Sequence, residues 1–128
     1  MTGLLLVAAG GAAGAAARFV LDGVIRSRHH GAFPWGTFVV NVLGSLIIGF
    51  VAGFVLFGGH TADAVEPSRL ALATGLCGGF TTFSTAMVEV VRLARSNRVR
   101  LALVSTIGTL VTTVAAVAAG IAVVGVIV

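Results

Sequence analysis

The stretch from Gly75 to Thr85, with the sequence GLCGGFTTFST, lies in the middle of an apolar segment long enough to cross a bilayer. It contains three glycines and four hydroxyl residues, a composition that fits an uninterrupted spanning helix poorly. Within a membrane, backbone that leaves the helical path is tolerated only where it is buried in protein or lines a wet cavity. The stretch therefore predicts a helix that is broken in mid-membrane, with the functional site at the break.

The composition of the whole chain is that of an integral membrane protein. Of its 128 residues, 58% are hydrophobic and 9% are charged, and the mean hydropathy is +1.13. A soluble domain has about 45–50% apolar and about 25% charged residues. We expect a single membrane domain over residues 1–128. Its first apolar segment has no basic region before it and no cleavage site, so we predict a retained span and not a signal peptide.

Four apolar segments reach the length of about 20 residues that a spanning helix needs. They cover approximately residues 3–21, 36–57, 70–91 and 101–127. The links between them are short and polar. The sequence thus predicts an all-α membrane protein with four transmembrane helices, the third of them broken.

The basic residues give a topology signal and not a nucleic-acid-binding face. All eight are Arg, at the ends of apolar segments or in the links between them. Seven fall on one side of the membrane, in or near the links 22–35 and 92–100, while the link 58–69 holds Arg69 with Asp63 and Glu66. The positive-inside rule places the Arg-rich links in the cytoplasm and both termini outside.

Polar side chains form two rows with the four-residue spacing of one helix face. The rows are Thr37, Asn41 and Ser45 in the second span and Ser105, Thr109 and Thr113 in the fourth. A single hydroxyl can bond to the carbonyl one turn earlier in its own helix, so each hydroxyl is either satisfied locally or available to a ligand. Asn41 cannot satisfy itself in this way, and we expect it to make an interhelical or ligand contact.

The polar groups predicted inside the membrane are hydrogen-bond donors and not acids. Asp22 and Glu89 lie near span ends, and residues 3–21 contain no acid. This counts against a small multidrug exporter, which would need a membrane-embedded carboxylate in its first span. Hydroxyls, an amide and the positive ring edges of Phe80 and Phe83 suit an anion instead.

Catalysis has no support in the sequence. We find no nucleophile–base pair, phosphate-binding loop or metal-ligand spacing. His29 and His30 lie in a polar link, where we expect them to be solvated. Gly10 with Gly14, and Gly49 with Gly53, form GxxxG pairs that predict close helix packing, within one subunit or between two.

With these residues the chain resembles the Fluc/CrcB fluoride channels of bacteria along its whole length. The matching segments are residues 10–15 (GGAAGA) with Arg18-Phe19, Gly36-Thr37 with Asn41 and Gly44, and residues 75–85. The run GGFTTFST at residues 78–85 is the most specific of them.

The resemblance implies an antiparallel, dual-topology dimer of four-helix subunits with two narrow pores in the bacterial plasma membrane. The channel would give fluoride resistance by passive efflux of fluoride that entered as hydrogen fluoride. It implies a structural sodium ion at the dimer centre, held by the backbone carbonyls of Gly78 and Thr81. The residues it assigns to the fluoride pore are Asn41, Phe83, Ser84, Thr85, Ser105, Thr109 and Thr113, with Thr37, and with Arg18 near the cytoplasmic vestibule.

Two departures from the family pattern point to a partner. The family's phenylalanine box has a second Phe where this chain has Ala86, and single-gene members have little charge bias, whereas here it is seven to one. We hypothesise one member of a heterodimer with an oppositely oriented homologue. The alternatives are a homodimer in which Phe80 or Met87 replaces the missing ring, and a non-conducting subunit that completes a partner's channel.

Overall fold

The computed structural model describes residues 2–57 and 67–128, and within these ranges all the regular secondary structure is helical. The predicted all-α class is therefore confirmed. The helices are α1 (Thr2–Arg28), α2 (Trp35–Phe57), α3 (Pro67–Phe80), α4 (Ser84–Arg95) and α5 (Val99–Ile127).

Four segments of the described chain are long and apolar enough to cross a membrane, as predicted. Three of them are α1, α2 and α5, and the fourth, Arg69–Arg95, combines most of α3 with α4. Helix α1 continues to Arg28, seven residues beyond the predicted end of the first span. The link expected outside the cell, with Asp63 and Glu66, lies outside the described residues.

Glycines bring α1 and α3 into backbone contact. A Cβ atom at Gly14 would collide with the carbonyl oxygen of Leu76, and one at Gly79 would collide with the carbonyl oxygen of Gly11. Gly75 meets the backbone of Val7 in the same way. Such close approach gives van der Waals packing where no hydrophobic force drives helices together. The Gly10 and Gly14 pair therefore packs within one subunit.

The second GxxxG pair holds α2 against α5. A Cβ atom at Gly49 would lie 3.0 Å from the Cα of Val117, and one at Gly53 would lie 2.8 Å from the Cβ of Val124. Gly120 on α5 makes the reciprocal contact, since a Cβ atom added there would lie 2.7 Å from the carbonyl oxygen of Leu46. Both glycine pairs thus join helices of the same subunit, which the sequence had left undecided.

Helices α4 and α5 are joined by a tight turn at Asn97. Its φ is 62°, a left-handed conformation that Asn tolerates better than most residues. The N–H of Arg98 donates to the carbonyl oxygen of Leu93 at 2.9 Å, which closes the end of α4 as in a Schellman motif. The turn makes α5 run back along the bundle toward the interruption between α3 and α4.

Most large apolar side chains lie on the outside of the bundle. Phe19, for example, is 80% exposed and Leu110 is 62% exposed, while the buried apolar residues are few and mostly small. An apolar exterior of this extent is what a membrane protein presents to lipid or to a partner subunit.

Candidate functional site

A cleft of about 430 Å³ opens between α2, the interruption at residues 81–83, α4 and α5, and polar side chains lie along its otherwise apolar wall. Both polar rows predicted from the sequence line it. The predicted residues in its wall are Thr37, Asn41 and Ser45 from α2, Phe83 from the interruption, and Ser105, Thr109 and Thr113 from α5. Two helix faces that are distant in sequence thus meet across one cavity.

Asn41 holds the interruption in place. Its Nδ2 donates to the carbonyl oxygen of Thr82, and its Oδ1 accepts from the N–H of Thr82, both at 2.9 Å. In a continuous helix that N–H would donate to the carbonyl of Gly78 instead. The buried amide of Asn41 therefore replaces one turn of helical bonding, which is a physical reason for α3 to end at Phe80. This is the interhelical contact expected for Asn41.

The carbonyls of Gly78 and Thr81 are left without helical partners. The N–H and the hydroxyl of Thr81 both donate back to the carbonyl of Cys77 at 3.0 Å. Over the described part of the chain, no N–H or hydroxyl donates to the carbonyl oxygen of Gly78 or of Thr81. Gly78 is exposed on the subunit surface, and a Cβ there would meet nothing within 4 Å. Free carbonyls of a broken membrane helix are suitable ligands for Na⁺, so this donor set fits such an ion.

The hydroxyls of α5 divide into two groups. Thr106, Thr112 and Thr113 donate to carbonyls one turn earlier, at 2.8, 2.5 and 2.6 Å. The hydroxyl groups of Ser105 and Thr109 make no hydrogen bond with any residue that the structure describes. Local bonding thus accounts for Thr113, and it leaves Ser105 and Thr109 free to donate into the cleft.

Thr37 is one of the two buried hydroxyl residues in the described cleft wall, with Ser105. The residue is 5% exposed, and its Oγ1 is buried with no hydrogen-bond partner among the described residues. A buried hydroxyl without a partner is costly, and in native proteins it is normally bonded to water or a ligand. Thr37 therefore supplies a third hydroxyl without a described partner, on the α2 side of the cleft.

The remaining predicted pore residues lie apart from this cleft. Arg18 and Thr85 line a smaller cavity of about 150 Å³, and Thr37 and Thr82 form part of both walls. Ser84 is the exposed first residue of α4 and lines neither cavity. The structure thus distributes the predicted pore residues over two adjoining cavities and the subunit surface.

Ala86 lies in the cleft wall, at the position where the resemblance implies a second ring. Ala86 and Met87 both line the cleft, and Phe83 lines it while remaining 77% exposed. Phe80 is buried, lies against Gly44 and does not line the cleft. Of the two side chains considered as substitutes for the missing ring, Met87 is therefore the one in position.

Sequence reasoning missed Glu89. We expected it near a span end and gave it no role, but it is 8% exposed, lines the cleft and bonds to Arg26. Its position three residues after Ala86 places both on one face of α4. This spacing was the only hint in the sequence that Glu89 belongs to the cleft. It becomes informative only when the helices that face α4 are known.

Comparison with known proteins identifies the relatives of the chain. Residues 5–121 match the family described as CrcB-like protein, Camphor Resistance (CrcB). A protein of Corynebacterium jeikeium, named fluoride-specific ion channel FluC 1, is 46% identical over 97 residues, covering 68% of this chain and 67% of the relative.

Two further relatives carry a similar name. The fluoride-specific ion channel FluC of Chlorobaculum tepidum is 48% identical over 89 residues, which cover 70% of this chain and 68% of the relative. The protein of the same name from Rhizobium meliloti is 44% identical over 89 residues, covering 70% and 69%. The similarity is thus shared by relatives from different bacteria.

Proposed function

The chain belongs to the CrcB-like family, and on that premise we propose that it is a subunit of a fluoride channel that lets fluoride leave the cell passively. Its relatives are ion channels, and accordingly this is a multi-pass membrane transport protein and not an enzyme. The observation that carries the proposal is the cleft in which two rows of hydrogen-bond donors face each other.

The chemistry of the cleft matches a small, strongly hydrated anion. A pore that conducts such an ion must replace its water with fixed donors, and a narrow pore disfavours larger halides. Thr37, Ser105 and Thr109 have hydroxyls that no described residue engages, and Asn41 keeps one amide hydrogen after bonding to Thr82. These four donors form the path along which fluoride loses and regains its water.

The subunit works as half of an antiparallel dimer. In this arrangement the exposed Gly78 face of one subunit meets the same region of the other. The carbonyls of Gly78 and Thr81 would hold a structural Na⁺ there, which fits their lack of described donors. The ion supplies a fixed positive charge at the dimer centre.

The chain is inserted in one orientation, in the bacterial plasma membrane, with its Arg-rich links in the cytoplasm and both termini outside. An antiparallel partner must then be a homologue of opposite orientation. The place of Ala86 in the cleft wall supports this pairing, because the resemblance implies a ring at this position, which a partner would have to supply. The same observation is compatible with a second candidate function, that of a subunit that does not conduct and only completes its partner's channel.

Fluoride efflux from liposomes tests the proposal. The chain is reconstituted alone and with an oppositely oriented homologue, and fluoride release is followed with an electrode. We expect flux from the pair, selectivity for fluoride over chloride, and no requirement for a proton gradient. Robust flux from the chain alone would contradict the obligate pairing, and the absence of flux in both preparations would contradict the channel itself.

Two matched variants on α5 test the cleft. Thr109→Val removes a hydroxyl that is free to face the ion, whereas Thr112→Val removes one that donates to the carbonyl of Gly108. Because a pathway that leaves an ion without a donor is strongly disfavoured, we expect Thr109→Val to lower flux about tenfold, the equivalent of about 1.4 kcal/mol at the barrier. Thr112→Val should conduct as wild type. Equal flux in the two variants would show that fluoride does not pass through the cleft.

A further inference from the structure

The carboxyl group of Glu89 lies in the wall of the cleft, where it faces the path of an anion. Glu89 is 8% exposed and lines both the cleft and a neighbouring cavity of about 190 Å³. Its Oε2 is buried without a hydrogen-bond partner among the residues that the structure describes. A carboxylate in this place opposes a passing anion unless its charge is compensated.

Arg26 supplies that compensation from another helix. Its Nη2 donates to Oε1 of Glu89, so the Arg26 side chain links the end of α1 to α4. Its Nε lies 3.0 Å from both carboxylate oxygens of Asp22, one turn earlier on α1. A planar guanidinium that bonds to two carboxylates at once is fixed in direction, which a flexible ammonium group is not.

The other charged group near Glu89 is Arg92. It lines the neighbouring cavity together with Arg26 and Glu89, but within the described residues it makes no hydrogen bond or ion pair with Glu89. Arg92 is exposed, so water screens its charge more strongly. The pair that matters at the cleft is therefore Arg26 with Glu89.

We propose that Arg26 is a positioning residue for conduction, which reaches from the end of α1 to hold the Glu89 carboxylate and offsets part of the negative charge beside the cleft. Fluoride then passes a carboxylate that is paired with a guanidinium and not a bare one. The inference deepens the proposed fluoride-channel function and rests on it. It also explains why a buried acid is tolerated in a cleft whose other polar groups are donors.

Fluoride flux in liposomes tests the pair, in whichever assembly of the chain conducts. Arg26→Gln removes the charge, Arg26→Lys keeps it, and Arg92→Gln removes the neighbouring charge as a matched control. We expect Arg26→Gln to lower flux about tenfold, the lower end of what charge placement does to ion encounter rates. Arg26→Lys should retain at least about half of the flux and Arg92→Gln nearly all of it, since the charge beside Glu89 remains. The double variant Arg26→Gln with Glu89→Gln, which leaves no charge at residue 89, should conduct better than Arg26→Gln alone.

Ionic strength separates this role from a purely structural one. The screening length falls from about 30 Å at 0.01 M salt to about 3 Å at 1 M. Because Glu89 is largely buried, salt should screen only part of its charge, so the deficit of Arg26→Gln should shrink in part as an inert salt is added, whereas a folding defect would persist at every salt concentration. An unchanged deficit, or an Arg26→Lys variant as impaired as Arg26→Gln, would overturn the inference.

The failure of the inference is distinguishable from failure of the proposed function. If the wild-type assembly shows no fluoride flux, the channel proposal itself is wrong and this inference with it. If the wild type conducts and Arg26→Gln conducts equally well, only the inference is overturned. If Arg26→Gln fails to fold, as judged by its elution in detergent, the double variant Arg26→Gln with Glu89→Gln takes its place. Its fluoride flux is then compared with that of the wild type at low and at high salt.

Discussion

At the scale of single residues, Asn41 joins the two parts of the site. Its side chain donates one hydrogen bond to the carbonyl of Thr82 and accepts one from the N–H of Thr82, 41 residues along the chain. The sequence could predict that this buried amide has a partner, because an amide cannot bond within its own helix turn as a hydroxyl can. It could not predict Thr82 as that partner, since this depends on how α2 lies against the interruption.

Replacement of Asn41 by Ala should destabilise the subunit by about 2–4 kcal/mol, because the N–H and C=O of Thr82 would both lose their partner. Thermal unfolding in detergent measures the change. Thr113→Val is the control, since the Thr113 hydroxyl bonds only within α5, at 2.6 Å to Thr109. Its removal should change the stability by no more than about 0.5 kcal/mol. If Asn41→Ala were as stable as Thr113→Val, the amide would not be what holds the interruption.

At the scale of elements, the backbone contact between α1 and α3 sets the position of the interruption. Glycines on both helices let the two helix backbones approach closely over several turns, and α3 ends directly beyond these glycines, at Phe80. The lengths and apolar character of the helices could be predicted from the sequence. The pairing of α1 with α3 and of α2 with α5 could not, because a GxxxG pair marks a close contact without naming the partner helix.

The glycines of α1 offer a matched test of this contact. Gly14→Ala would place a Cβ atom against the backbone of Leu76 and Phe80, so the two helices must move apart. We expect a loss of about 1–3 kcal/mol, the usual range for overpacking at a rigid contact. Gly23→Ala lies on the same helix, where a Cβ meets nothing within 4 Å, and should be neutral or up to about 1 kcal/mol stabilising.

Unfolding in detergent, followed by circular dichroism, compares the two glycine variants under the same conditions. Both substitutions add one methyl group to α1, so any difference between them reports the contact with α3 and not helix propensity. Similar stabilities of the two variants would show that the backbones of α1 and α3 are not in contact at Gly14.

At the scale of the whole molecule, the Arg-rich links lie at one end of the bundle. The contact of Arg26 with Glu89, and the cavity lined by Arg26 and Arg92, bring the end of α1 next to α4. The alternation of four spans was enough to predict this shared end. The same reasoning could not predict the burial of Glu89, because that burial depends on how α4 is placed beside the cleft and on the Arg26 side chain that reaches it.

The side of the membrane that this end faces is the last prediction. Seven of eight arginines on one side should fix a single orientation, with the Arg-rich end in the cytoplasm. A membrane-impermeant thiol reagent tests this on intact cells, with Thr2→Cys to report the N-terminal end and Ser96→Cys the Arg-rich end. The native Cys77 is 4% exposed, so the wild type serves as the unlabelled control. We expect Thr2→Cys to react at once and Ser96→Cys only after permeabilisation.

The outcome also bears on assembly. A chain with one orientation cannot supply both halves of an antiparallel dimer, so single-sided labelling would require a second, oppositely inserted homologue. Labelling of both variants to similar extents on intact cells would mean that the chain inserts both ways. The charge bias would then be ineffective, and Ala86 would be a substitution that a homodimer tolerates, with Met87 in the wall of its cleft.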